Sequence, residues 1–382
     1  MTNRLYNFRV SNDVLLRTLT KPPGFISRWL FFRQNAGMQT RLTQLFNLTT
    51  PIVLAPMALA SGGALAAACA RAGALGLVGG GYGELAWTQK QYALAHQMVE
   101  ADPASPVMRD TIRSRLGIGF ITWKLDEDAS ALDWVLDQPA AWLPAAVMLS
   151  FGDASAYSPR IIAAGARLVC QIQRLDQAQQ AIDAGAHVIA AQGAEAGGHG
   201  MNALNGRATM TLVPELADWL AAHSPNTLLL AAGGIADGRT LAASLLLGAD
   251  GALVGSRLWA TAESLAAQGA KDQAVTTSGD GSARSSVFDI LRRKNWPAPY
   301  DFRALRNDLH RQWEDRIEAL RADPLAARGD YDAGVSAGDF SRAHATVGEA
   351  VGLIHDLPAA GDLIQRMDQE ANRAAAAITR VI

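Results

Sequence analysis

The sequence predicts an α/β fold: a (β/α)8 TIM barrel followed by a helical C-terminal segment. Three observations predict it. From residue 51 to residue 257, short and nearly continuous apolar runs alternate with Ala-rich stretches, the pattern of parallel strands covered on both faces. Eight such runs occur. The stretches between them close on a repeated joint, Ala72-Gly73-Ala74, Ala164-Gly165-Ala166, Ala184-Gly185-Ala186 and Leu247-Gly248-Ala249. Glycine there takes the left-handed conformation that ends a helix. Eight alternating units with short joints favour a closed barrel over a two-half doubly wound sheet.

In order, the predicted strands span residues 52–57, 75–80, 115–121, 145–150, 168–172, 188–192, 228–233 and 252–255. Each is β-branched or Leu-rich, and several end in glycine before an Ala-rich helical stretch. In a barrel, every loop from strand to helix lies at the catalytic face, and the Gly-Ala joints lie at the opposite, structural face. The alternation stops after Thr261. Residues 284–382 read as helices, over 301–322 and 362–381, set off by Trp296, Pro297, Pro299 and Tyr300. The expected domains are an N-terminal arm, 1–37, open to disorder, a cofactor-binding barrel, 38–283, and a helical segment, 284–382, that caps the barrel mouth.

Composition narrows the function. Apolar residues make up 49% of the 382 and charged ones 18%, enough for a sizeable core. A net charge of −2 gives no electrostatic case for nucleic acid or an anionic membrane. No apolar run reaches the roughly 18 residues of a spanning helix. Cys69 and Cys170 are far apart in apolar settings, without the spacing of a disulfide framework or zinc site, so a reducing, cytoplasmic compartment and no metal are expected. The first 37 residues hold Arg4, Arg9, Arg17, Lys21, Arg28 and Arg33 against Asp13 alone. That composition suits a transit peptide, a basic arm, or a start at Met38. Pro22-Pro23-Gly24 breaks any long amphipathic helix and favours the latter two.

The stretch richest in chemistry is residues 192–200, Gln-Gly-Ala-Glu-Ala-Gly-Gly-His-Gly, at the end of the sixth run. Its glycines permit close backbone approach to a ligand. His199 is the histidine in this Gly-rich loop, and a neutral imidazole can take a proton near pH 7. Glu195 is the rival base, better read as hydrogen-bonding the loop's own backbone N–H groups. His187 reads as structural, and His96, His223, His310, His344 and His355 fall in contexts without partners. Gly233-Gly234-Ile235-Ala236-Asp237-Gly238 follows the seventh run and Gly255-Ser256 the eighth. Loops at these barrel positions bind phosphate through backbone N–H groups. Asp237 reads as a helix N-cap. Pro56-Met57 closes the first run, where Met57 suits packing against a flat ring. Gln171 and Gln192 bring amides to the fifth and sixth strand ends, to meet a heterocycle edge or to satisfy one another. Gly81-Tyr82-Gly83-Glu84-Leu85-Ala86 fits GxGxxA, with Glu100 and Asp102 near the distance of a ribose-binding acid. It sits in the second unit of a barrel, so a plain Gly-rich loop is the default.

Four stretches, in this order, resemble the nitronate monooxygenases: Ala55-Pro56-Met57, the Gln192–His199 loop, residues 231–238 and residues 247–251. Asp289-Ile290, Trp296-Pro297 and residues 348–354 are similar too, so the likeness covers all but the N-terminal arm. The resemblance implies an FMN-dependent barrel oxidising alkyl nitronates with O2 to a carbonyl compound and nitrite. It implies His199 as the catalytic base. It implies FMN contacts at Met57, Gln171, Gln192, Gly197, Gly234, Gly255 and Ser256, and the same surface takes in Pro56, Gly119, Gly198 and Gly233. The chain departs from the pattern at Gly119, where the family often has Asn, and at Leu253, where it often has Gln. The alternatives are an FMN- and NAD(P)H-dependent enoyl-thioester reductase, another flavin oxidoreductase of this barrel group, and a barrel without turnover. A homodimer is compatible with the sequence, which does not fix the oligomeric state.

Overall fold

The computed structural model describes residues 38–378. The arm expected over 1–37, and the end of the last expected helix, lie outside the described residues. Eleven strands occur among those described: β1 (Ile52–Leu54), β2 (Gly76–Gly81), β3 (Leu116–Ile121), β4 (Ala146–Ser150), β5 (Arg167–Ile172), β6 (Val188–Gln192), β7 (Gly198–Met201), β8 (Leu228–Ala232), β9 (Gly251–Val254), β10 (Ser282–Ser285) and β11 (Tyr300–Leu305). All eight predicted runs are strands. They form one parallel sheet in the order β1-β9-β8-β6-β5-β4-β3-β2. A parallel bridge between Val53 and Leu75 closes the cylinder. The Leu75 N–H donates to the Ile52 carbonyl at 3.0 Å, and the Leu54 N–H to the Leu75 carbonyl at 2.9 Å.

The unbroken apolar runs follow from burial on both strand faces. Val53, Leu77, Met148, Val169, Val188, Ala190, Leu230 and Leu253 share the buried barrel interior. Their neighbours Ile52, Leu54, Val147, Leu149, Leu168, Ile189, Ala231 and Val254 pack outward against the helices. The helix Arg41–Phe46 closes the floor: Leu42 and Phe46 join the interior set, and Arg41 holds Asp250 through two 2.7 Å contacts. The joints are as predicted. Gly73, Gly165, Gly185 and Gly248 have φ of +94°, +84°, +81° and +98°.

Two readings of local structure need correction. Residues 301–322 are not one helix: residues 300–305 form β11, and helices occupy Asp308–Trp313 and Ile317–Ala322. Phe302 and Ala304 are buried while Asp301 and Arg303 are half-buried, a period of two that favours a strand. Residues 198–201, read as loop, form β7. It pairs antiparallel with β11, which pairs with β10. This small sheet stands outside the barrel and fixes the Gly-rich stretch against the C-terminal segment. The last helix, Ala360–Ile378, packs along the barrel side. A Cβ on Gly238 would lie 2.2 Å from Glu370 Cβ, so only glycine admits that approach.

Candidate active site

A cavity of about 670 Å³ opens at the C-terminal ends of the barrel strands. All twelve residues singled out in the sequence line it: Pro56, Met57, Gly119, Gln171, Gln192, Gly197, Gly198, His199, Gly233, Gly234, Gly255 and Ser256. Residues from beyond position 284 complete the wall, among them Arg292, Lys294, Trp296, Phe302, Tyr331 and His344.

An amide ladder crosses the barrel mouth. The Ser150 hydroxyl donates to Gln171 Oε1 at 3.3 Å. Gln171 and Gln173 both donate to Gln192 Oε1 at 3.0 Å. Gln192 Nε2 donates to the His199 carbonyl at 2.9 Å. The satisfied polar layer is therefore present, and Gln171 and Gln192 also face the cavity. Each keeps one amide N–H for a ligand.

His199 lies on β7 opposite Phe302 of β11. Its Nε2 sits 2.9 and 3.1 Å from the two Asp289 oxygens. Trp296 stacks on the imidazole with centroids 3.4 Å apart and planes 12° from parallel. Phe302 tilts against it at 4.8 Å. Burial disfavours the imidazolium, as do Arg292 and Arg284, so the His199 pKa lies well below 6.5. Burial also pushes Asp289 up to about 7, against the pull of Arg292. The pair therefore shares a proton rather than separating two charges.

Two arginines lock the Gly-rich stretch. Arg284 donates to the carbonyls of Ala194 (3.3 Å), Ala196 (2.7 Å), Gly198 (3.1 Å) and Asp301 (2.6 Å). Burial lowers its pKa to about 10. Gly200 admits this guanidinium, since a Cβ there would lie 3.0 Å from Arg284 Nη1. Arg303 adds a bond to the Ala194 carbonyl at 3.1 Å. Glu195 accepts from the Thr209 N–H at 3.0 and 3.1 Å and from its hydroxyl at 3.0 Å. It caps the helix Thr209–His223 rather than the loop's own N–H groups, because Thr209 opens beside it.

The two Gly-containing loops after β8 and β9 leave backbone exposed to the cavity. Gly234 has φ +76°, and a Cβ on it would meet nothing nearer than Glu195 Cβ at 3.9 Å. On Gly255, the nearest atoms would be Ala55 Cβ at 3.7 Å and Met57 Sδ at 3.8 Å. Both backbones are thus open on the cavity side. Ser256 Oγ accepts from the Gly348 N–H at 2.8 Å and keeps its own proton to donate. Asp237 caps Gly238–Leu246 through Thr240 N at 2.9 Å. Gly119 has a packing reason of its own: a Cβ would lie 2.3 Å from Pro56 Cγ, so the asparagine common elsewhere has no room.

Other expectations change. His223, His310 and His344 do have partners: the Trp219 carbonyl at 2.8 Å, Ser285 Oγ at 2.8 Å and the Tyr331 hydroxyl at 2.7 Å. His187 accepts from the Leu168 N–H at 3.2 Å, a structural role as read. Glu100 pairs with Arg113 and Asp102 with Arg71, so neither is a ribose ligand. Sequence reasoning gave no role to Asp289, Arg284 or Arg292. Asp289 stands 90 residues from His199, and its one signal was the Asp289-Ile290 stretch, quoted for likeness alone.

Barrel and cavity define an enzyme whose chemistry sits on the loops that follow the strands. The nitronate monooxygenase family model matches residues 134–370. A nitronate monooxygenase of Metarhizium robertsii is 32% identical, over 84% of this chain and 91% of its own. Among solved structures, FabK from Thermotoga maritima has a TM-score of 0.73 at 24% identity, covering 90% of this chain and 100% of that one. A nitroalkane oxidase from Streptomyces ansochromogenes has a TM-score of 0.69 at 25% identity, covering 88% and 99%. The chain belongs to the nitronate monooxygenase family, and it is an oxidoreductase.

Proposed function

We propose that this protein is an FMN enzyme that oxidises alkyl nitronates with O2 to a carbonyl compound and nitrite. The observation that carries the reading is His199, buried at 8% exposure, facing the cavity beside an open glycine backbone and bonded through Nε2 to Asp289. FMN fits the residues present. The N–H groups of Gly234 and Gly255, with the Ser256 hydroxyl, suit a phosphate. Met57, Pro56 and Gly119 offer a flat apolar wall, and the free amide protons of Gln171 and Gln192 suit a heterocycle edge. When bound, the flavin supplies the redox chemistry with O2.

The chain's own part is to bind, orient and move a proton. Among the described residues no hydrogen bond engages His199 Nδ1. Once Asp289 is ionised, above about pH 7, Nε2–H donates to it and Nδ1 takes the proton from the carbon of a neutral nitroalkane. Asp289 then faces the new positive charge across Nε2 and fixes the ring's orientation. Trp296 covers one face of the imidazole and keeps water from it. An already ionised nitronate needs no such transfer. No helix among the described residues is long and apolar enough to cross a membrane. A His199→Asn variant tests the role: it should keep FMN and nitronate turnover and lose at least about tenfold on neutral nitroalkanes. Full activity on nitroethane would refute it.

A further inference from the structure

Arg292 follows the helix Val287–Leu291 and lines the cavity. Its side chain is 14% exposed. The guanidinium lies 4.6 Å from the centre of the Phe302 ring, the ring that also borders His199. Its nearest carboxylate oxygen, on Asp289, is 3.9 Å from Nη1, beyond hydrogen-bond reach. Both Asp289 oxygens already face His199. Nη1 is buried and has no hydrogen-bond partner among the described residues, and the guanidinium also neighbours the Tyr82 hydroxyl. A buried, charged donor without an acceptor is costly, and the neighbouring arginines are held by more partners, although Arg284 Nε too has none among the described residues. Arg293 pairs with Asp332, Arg303 with Glu349, and Arg284 with four carbonyls.

We propose that Arg292 binds the charged oxygens of the substrate and so selects the preformed nitronate over the neutral nitroalkane. The substrate named here rests on the nitronate reading; the anion site itself does not. A nitronate spreads its charge over two oxygens, and the planar guanidinium fork matches that geometry as it matches a carboxylate. The site then divides its work. Arg292 serves the anion, and His199 serves the neutral form that must first lose a proton.

The test uses the holoenzyme with Arg292→Gln and Arg292→Lys. Ethyl nitronate and nitroethane are assayed separately for kcat/KM, and inorganic nitrite is titrated by calorimetry as an anion that does not turn over. In Arg292→Gln, kcat/KM for nitronate should fall and the nitrite Kd should rise, each roughly ten- to a hundredfold, the value of a charge-assisted bond. Nitroethane should lose activity too, because its oxygens gain charge as the proton leaves and Arg292 acts on His199 and Asp289. The charge is only partial in that step, so its kcat/KM should fall less than that for nitronate. Arg292→Lys, which keeps the charge without the fork, should fall between. An unchanged nitrite Kd, or equal losses on both substrates, overturns the proposal. Should the glutamine variant lose its fold or flavin, the lysine variant decides by the same comparison. Arg292-dependent nitrite binding in an enzyme that ignores nitronates would uphold the anion site and reject the nitronate reading.

Discussion

Asp289→Asn removes one ionisable partner from a buried pair, and the consequence has a definite sign. Burial holds His199 well below its ordinary 6.5 and raises Asp289 from 3.8 to about 7. Between about pH 4 and pH 6.5 the folded pair therefore keeps one proton, on whichever partner. The unfolded chain also keeps one there, on the imidazole. Folding moves that proton without taking up or releasing one, so the pair adds little pH dependence to stability in this window. Above pH 6.5 the folded pair holds a proton the unfolded chain has lost, and wild-type stability declines until about pH 7. In the asparagine variant, folded His199 is neutral while unfolded His199 is charged below pH 6.5. The unfolded state then binds one more proton, and stability falls with acid by about 1.4 kcal/mol per pH unit. From pH 6.5 to pH 4.5 the variant should lose up to about 2 kcal/mol more than wild type. Urea denaturation of both proteins across pH 4.5–7.5 measures this. Parallel curves would refute the shared-proton account.

Three other changes probe the site's framework. Arg284→Gln should lower stability by about 2–4 kcal/mol, since four carbonyls lose a buried cation; a denaturation midpoint within error of wild type would contradict the clamp. Gly234→Ala should cost about 1–2 kcal/mol at φ +76° and weaken flavin retention on dialysis, while undiminished retention would argue against a phosphate there. Gly119→Asn should destabilise by more than about 1 kcal/mol because its Cβ would strike Pro56. A variant as stable as wild type would show that Pro56 yields.

The barrel was legible because its physics is local and repeated. Strands buried on both faces must read as apolar runs, and helix ends such as Gly73 and Gly248 need a left-handed residue. The cavity-lining residues were legible for a related reason: they lie at strand ends, such as Met57, Gln171 and Ser256, where barrel geometry alone predicts a cavity. The other wall of the site was not. β7 is four residues long and is held by β11 and by Arg284, partners about 85 to 105 residues away that leave no periodic trace. Asp289 sits in a helix of five residues, too short to show a pattern. His344 and Arg292 came together with His199 only through tertiary packing, which no local propensity encodes.

The most direct test of the nitronate reading is anaerobic reduction of the purified protein, followed at the flavin absorbance bands. Ethyl nitronate is added to one cuvette and NADH or NADPH to another. The account predicts bleaching by nitronate alone, with nitrite appearing once air is admitted. Bleaching by NAD(P)H, with no response to nitronate, would contradict it and place the enzyme among the reductases of this barrel group.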